Sequence, residues 1–402
     1  SFPRHGVLRV EVGSGNRYPY VVPNGPPPAF SVREDDGGLH LEAGGFHLAI
    51  DRERHLFTLW NPEGDVVVSQ AAAKSIYWGY HAHPLCQVRR RNGIATAIAL
   101  ARRAGESYYG FGEQFTDLDR RNQAVDIWNV DPANTLGNGS YANIPLYLST
   151  DGYGLLLDSP RRSRFDMGTT TSAAVMAETE GEALDLYVLA GTMKTALNTY
   201  FDLTGRPSPT PPWSYGLWMS SLPTYTSARG VLEAAEEFRR RGFPCDLLHV
   251  DPVWMGQKSL VCDFEWGPAF PDPDGFVRRL RALGFKLSLW VSPYVPVGSP
   301  LHEEGLERDC FVRDAEGRVL VNEGAMNFWS VPFSYVDFSS PGAAEWYKDR
   351  IRCLAAGGAD VIKNDLGELG PAEALYRDGL DGPGGHNRYC QDYARATWEA
   401  CR

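Results

Sequence analysis

The sequence predicts a two-part chain: a β-sandwich over residues 1–207, then an α/β region over 208–402 in which parallel strands alternate with helices. Short alternating runs cut by Gly, Pro, Asn and Asp fill the first part, prolines crowd the junction, and a unit of helix, glycine stop and apolar strand recurs in the second. A length of 402 residues suits this division, since roughly 100–200 residues per domain suggests two or three domains.

The runs of the first part include "GVLRVEV", "LHLEAGGFHLAI", "LFTLWNPEGDVVV" and "IPLYLSTDGYGLLLD". Alternation at period two turns one face of each run toward a core, and clusters such as "NPEGD" and "TDGYG" return the chain antiparallel. With little helical periodicity in between, an all-β sandwich is expected. The junction "TGRPSPTPPW" (204–213) carries Pro207, Pro209, Pro211 and Pro212, which cannot donate to a ladder and stiffen the chain.

Beyond it, "SARGVLEAAEEFRRRGFPCDLLHVD" sets Val231, Leu232, Ala235 and Phe238 on one helical face, with Gly242 after a basic last turn. "PDGFVRRLRALGFKLSLWVS" repeats the unit, with Asp272 as the expected cap and Pro273 at the first helical position. "PGAAEWYKDRIRCLAAGGADVIKND" is a third. Fully apolar strands between helices imply a parallel sheet with helices packed outside, either open and doubly wound or closed as a barrel. The strands end at Trp218-Met219-Ser220, His249-Val250-Asp251, Trp290-Val291-Ser292 and Lys363-Asn364-Asp365, and strand ends are where a barrel carries its chemistry. A closed barrel needs about eight such units. The expectation is therefore the first half of a barrel, with the remainder beyond Arg402.

Composition narrows the function. A net charge of -11 without a basic run argues against nucleic acid. The seven cysteines are scattered, odd in number and without a C-x-x-C pair, so neither disulfides nor zinc are expected, and a reducing, cytoplasmic location follows. No apolar stretch approaches the ~18 residues of a membrane span, and no membrane partner is expected. The chain opens on Ser1 with a strand already under way, so a signal peptide is not assessable from it. "HAH" (81–83) reads as a solvent-facing pair before a metal site, and "NGS" (138–140) as a turn before a glycosylation acceptor. No metal and no cofactor are expected.

The acids at the strand ends carry the chemistry. In "IKNDLGE" (362–368) Lys363 and Asp365 share one face of a strand and Asn364 points the other way. An adjacent ammonium favours an ionised carboxylate, which suits a nucleophile, although a structural ion pair capping the strand accounts for the spacing equally well. Asp251 opens on the same mouth if the sheet curves, either as a catalytic acid or as an acceptor for sugar hydroxyls. The loop 261–276 adds Asp263, Glu265 and Trp266, either as a sugar-binding surface or with Phe264 and Trp266 anchoring it while the acids face solvent.

The run "GLWMSS…LHVDPVWM…CDFEW…FPDPDGFVRRLRALGFKLSLWVSPYV…YVDFSSPGAAEWY…IKNDLGE" resembles glycoside hydrolase family 31, the α-glucosidase and α-xylosidase family, and within it the bacterial α-xylosidase branch. "YYGFGEQFTDLDRRNQAVDIWNVD…YANIPLYLSTDGYGLLLD" resembles that family's N-terminal β-sandwich, so the likeness runs from about Tyr108 onward. It implies a (β/α)8 TIM barrel, of which about the first half is present, and a retaining hydrolase acting on α-xylosides or α-glucosides of oligosaccharides. The family's K-x-D-x-G-E nucleophile falls on Asp365 and would form a covalent glycosyl-enzyme; Lys363 falls on a sugar contact and Asp251 on a ligand for sugar hydroxyls. Trp254 and Trp290 fall on aromatic positions of the pocket, and "WNVD" would bring Asp131 near the mouth.

Two departures from the family pattern stand out. Pro252-Val253 replaces the Cys-Phe of α-xylosidases, where the ring limits room around the fifth carbon, so glucose becomes admissible beside xylose. The family's general acid/base aspartate lies on a later strand, and no residue of this chain matches it; alone, the chain is expected to forfeit ~10²–10⁴-fold of rate. A transglycosylase using the same residues and a non-catalytic carbohydrate-binding protein are the alternative readings. The expected partner is an oligosaccharide or α-glycoside substrate, with a homo-oligomer left open.

Overall fold

The alternating runs of the first part form antiparallel strands. The computed structural model describes residues 1–13, 20–21, 26–71, 73–75, 79–82, 84–90, 93–132, 139–221, 224–256, 260–324 and 331–402, and divides into compact units Ser1–Pro207 and Ser208–Arg402. The motifs "HAH" and "NGS" include His83 and Asn138, which fall outside the described residues.

In the first unit one five-stranded sheet runs Val7–Val12, Leu184–Ala190, Tyr153–Leu157, Asn143–Ser149, Tyr108–Gly112. A second runs Ala124–Ile127, Ser163–Asp166, Ala174–Glu180, Gly93–Ala101, Leu85–Arg90, and a third is a meander from Phe30–Asp35 to Val66–Ser69. The three share a core in which Leu155 and Val188 of the first meet Ile98 and Phe165 of the second and Leu48 and Leu59 of the third. Each such side chain taken from water contributes roughly 1.5–3 kcal/mol.

Strand Leu184–Ala190 is buried at every position rather than at alternate ones. The reason is a helix, Met193–Thr204, which covers the outer face of its sheet and sets Ala196 and Leu203 against Leu156, Tyr187 and Leu189. This corrects the all-β expectation. Only Ala196 and Leu203 of the helix are buried, too sparse a stripe to register as helical periodicity.

The second unit holds four parallel strands in sequential order: β1 (Trp218–Ser220), β2 (Leu247–Val250), β3 (Lys286–Val291) and β4 (Val361–Asn364). They alternate with α1 (Ala228–Arg240), α2 (Pro273–Ala282), α3 (Pro341–Ala356) and α4 (Gly382–Ala400). Val231, Leu232 and Ala235 of α1 and Phe276, Val277 and Leu280 of α2 are buried, as the helical spacing requires. Asp272 caps α2, its carboxylate accepting from Gly275 N at 2.9 Å, with Pro273 at the first helical position.

Between β3 and α3 lies an insertion that the periodicity does not announce. It consists of a small antiparallel sheet (Tyr294–Pro296, Val321–Asn322, Phe333–Tyr335) and the short helix Pro300–Glu307. On β4, Asn364 turns toward α4, where Thr397 Oγ1 donates to its Oδ1 at 2.7 Å. Lys363 and Asp365 accordingly point to the opposite face.

Candidate active site

Parallel register stacks the open face of this sheet in rows. His249 lies opposite Ser220 on one side and Ser288 on the other, and Trp290 lies opposite Lys363. The residues two positions further along, Asp251 and Asp365, rise above these rows at the carboxyl ends of β2 and β4.

Lys363 joins the two acids. Its Nζ lies 3.0 Å from Asp251 Oδ1 and 3.5 Å from Asp365 Oδ2. The Lys363 side chain is 44% exposed and that of Asp365 38%, so this edge of the cluster is exposed. The Trp290 indole N–H donates to Asp365 Oδ2 at 2.6 Å, and the backbone N–H of Leu366 to its Oδ1 at 3.1 Å. Leu366 itself adopts φ of +65°, a conformation a branched residue takes only when its surroundings impose it. The next turn supplies that constraint, since Gly367 N and Leu369 N both donate to the Tyr294 hydroxyl, at 3.1 and 3.2 Å.

Asp251 is more enclosed, its side chain 15% exposed. Burial alone disfavours its charged form, but the hydrogen bonds from His249 and Lys363 and the Lys363 charge outweigh it and hold the carboxyl well below the usual range. Oδ1 receives His249 Nε2 at 3.0 Å and Lys363 Nζ at 3.0 Å, while Oδ2 receives Ser220 Oγ at 3.0 Å. An acid held ionised in this way is poorly suited to supply a proton near neutral pH.

The structure thus gathers Asp251, Trp254, Trp290, Lys363 and Asp365. The two tryptophans differ from their expected place on the pocket wall: Trp254 is 0% exposed and Trp290 1%. They form a supporting layer instead, with Trp254 Nε1 donating to the Trp290 carbonyl at 2.9 Å and Trp290 in turn holding Asp365. Asp131 belongs to the first unit, where it follows Val130, whose N–H donates to Ser140 O at 2.9 Å. In the loop after β2, Phe264 packs on Tyr347 and Trp266 on Trp254, so both aromatics anchor it; Glu265 is exposed, but Asp263 is buried rather than facing solvent.

Sequence reasoning passes over Ser288 and names Ser220 and His249 only as strand-end residues, although His249 stands two residues before Asp251 and therefore on its face. Among the described residues no group of three or more His, Cys, Asp or Glu side chains is arranged to hold a metal ion. No helix among them is long and apolar enough to cross a membrane.

Comparison with known proteins matches residues 207–402 to the glycosyl hydrolases family 31 TIM-barrel domain and residues 1–166 to the glycosyl hydrolase 31 N-terminal galactose mutarotase-like domain. Alpha-xylosidase XylQ of Lactiplantibacillus pentosus is 31% identical over 378 residues, covering 92% of this chain and 48% of that protein. An alpha-xylosidase of Emericella nidulans is 35% identical over 308 residues, 76% of this chain and 39% of that protein. The chain thus spans about half or less of the length of these relatives. Among solved structures, a family 31 dextranase of Flavobacterium johnsoniae complexed with isomaltotriose superimposes with a TM-score of 0.88 at 21% identity, covering 99% of this chain and 49% of that one, a likeness of fold. An N-terminal β-rich domain followed by part of a TIM barrel, both matched by models of one family, together with relatives above 30% identity, places this chain in glycoside hydrolase family 31.

Proposed function

We propose that the protein is a retaining α-glycoside hydrolase acting on α-xylosides or α-glucosides of oligosaccharides. Asp365 is the nucleophile. Its carboxylate attacks the anomeric carbon while the glycosidic oxygen leaves with a proton; a glycosyl ester forms on Asp365, and water then releases the sugar with net retention. The proton must come from a group other than Asp251, which is held ionised.

The observation that carries this reading is the Lys363 ammonium spanning Asp251 and Asp365 at 3.0 and 3.5 Å on an open strand-end face. In the proposed mechanism Trp290 and the Leu366 N–H fix both oxygens of Asp365, Lys363 contacts the sugar and keeps the two acids from repelling each other, and Asp251 accepts sugar hydroxyls. Trp254 acts through Trp290 rather than by touching the sugar. Asp131 enters the proposal through the "WNVD" motif alone.

The names of the two relatives favour α-xylosides, and Val253, smaller than the phenylalanine of family α-xylosidases, leaves α-glucosides in play. Turnover of nitrophenyl α-xyloside and α-glucoside by the full-length protein, with product analysis in the presence of added sugars, tests the proposal. Release of nitrophenol with retained anomeric configuration is expected. Failure with both substrates would remove the hydrolase reading, and disaccharide as the main product would favour a transglycosylase.

A further inference from the structure

Below the carboxylates, His249 is 7% exposed and Ser288 1%. Both ring nitrogens are engaged: Nε2 lies 3.0 Å from Asp251 Oδ1 and Nδ1 2.9 Å from Ser288 Oγ. Chemistry decides the protons. An ionised carboxylate only accepts, so Nε2 carries hydrogen toward Asp251. The Ser288 hydroxyl must place its own hydrogen somewhere, and among the described residues the structure shows Nδ1 as its hydrogen-bond partner. With Nδ1 as the acceptor, the ring is the Nε2–H tautomer.

That tautomer has an electrostatic consequence. One ammonium faces two carboxylates, leaving a net negative charge opposite an oxocarbenium-like transition state; an imidazolium would cancel it. In addition, the lone pairs of Asp251 Oδ1 are filled by His249 and Lys363, and one of the two on Oδ2 by Ser220. Counted over the described residues, a single acceptor position remains.

We propose that His249, clamped between Ser288 and Asp251, is a positioning residue for sugar binding: as the Nε2–H tautomer it fixes the Asp251 carboxylate so that one Oδ2 lone pair meets one ligand hydroxyl. The inference rests on the reading of Asp251 as a hydroxyl acceptor and assigns a role to a side chain that does not touch the sugar.

The test uses the full-length protein and has two arms. In the first, ¹⁵N spectra of histidine-labelled protein at neutral pH, compared with Ser288→Ala, should show Nε2 protonated and Nδ1 unprotonated, with the Nδ1 signal moving in the variant. An imidazolium, or the opposite tautomer, overturns the clamp. In the second, xylose and glucose are titrated calorimetrically. His249→Ala should weaken binding by about 10-fold or more, whereas His249→Gln, whose amide N–H replaces Nε2–H, should stay within about 3-fold. Unchanged binding in His249→Ala, or equal losses in both variants with unaltered thermal unfolding, overturns the positioning role. If the wild-type protein binds neither sugar, the hydroxyl-acceptor reading fails and the ligand role of His249 with it, while the tautomer measurement separately decides the clamp.

Discussion

Asp158 and Asp251 each follow directly on a buried strand, Tyr153–Leu157 in the first unit and β2 in the second, yet their environments push them in opposite directions. Burial raises Asp158 to about 6, against the backbone N–H of Tyr20 at 2.6 Å, and the neighbouring Asp185 adds to the rise. Arg9 sits nearby but is committed to Asp185 at 2.8 and 2.6 Å. Asp251 is enclosed too, but an ammonium from β4 and an imidazole from β2 converge on it. Burial by itself makes a structural acid; convergent donors from its own strand and from others in the sheet make one that can work ionised.

The largest effect is expected at the exposed end of the second arrangement. Asp365→Asn removes the proposed nucleophile but leaves the Lys363–Asp251 pair, so turnover of nitrophenyl α-glycosides should fall on the order of 10⁴-fold or more with little change in thermal unfolding. Near-normal rates would reduce the Lys363–Asp365 pair to a strand cap. Next comes Lys363→Met, which leaves the enclosed Asp251 without its cation, closer to the situation of Asp158. Here kcat/KM should drop by about 10²–10³, and the acid limb of its pH profile should move upward, because Asp251 would lose its charge at a higher pH than before. An unmoved limb would mean that His249 and Ser220 suffice to hold the carboxylate.

The same comparison predicts opposite pH slopes for stability. Asp158 has a folded pKa of about 6, above its ordinary 3.8, so the folded state binds more protons between those values and the contribution of this group is lost as pH rises from about 4 to about 6. For Asp251 the folded value is depressed, so its contribution is present above the ordinary carboxylate range and is lost only as pH falls through the depressed value. Asp158→Asn keeps an acceptor for Tyr20 N–H and removes the charge. Relative to wild type it should gain up to about 3 kcal/mol between pH 4 and pH 7 in urea denaturation. A constant difference across that range would place the cost of Asp158 elsewhere than in its ionisation.

What the sequence disclosed of this arrangement follows from period two. Lys363, Asp365, Asp251 and the turned-away Asn364 were readable because strand alternation is local, as were the cap at Asp272 and the apolar faces of α1 and α2. The partners were not. That His249 meets Ser288, or that Trp290 meets Lys363, is set by register between strands far apart in the chain. Trp254 and Trp290 carry no local mark of burial, since an aromatic at a strand end serves a pocket wall and a supporting layer equally well. The helix Met193–Thr204 carries few buried residues, and the strands of the insertion after β3 are only two or three residues long, so neither shows a period.

Asp272 marks the weak end of the series and isolates geometry from burial. It is exposed, and its carboxylate serves α2 through one bond to Gly275 N at 2.9 Å. The approach is close enough that a Cβ at Gly275 would lie 2.0 Å from the Asp272 carboxylate, so a side chain there would displace the cap. Asp272→Ala should therefore cost about 1 kcal/mol, whereas Asp272→Asn, which keeps an acceptor oxygen, should cost little. If both variants lower the denaturation midpoint equally, the acid contributes through charge at the helix start and not through its bond to Gly275, and exposure would not be what separates it from Asp158 and Asp251.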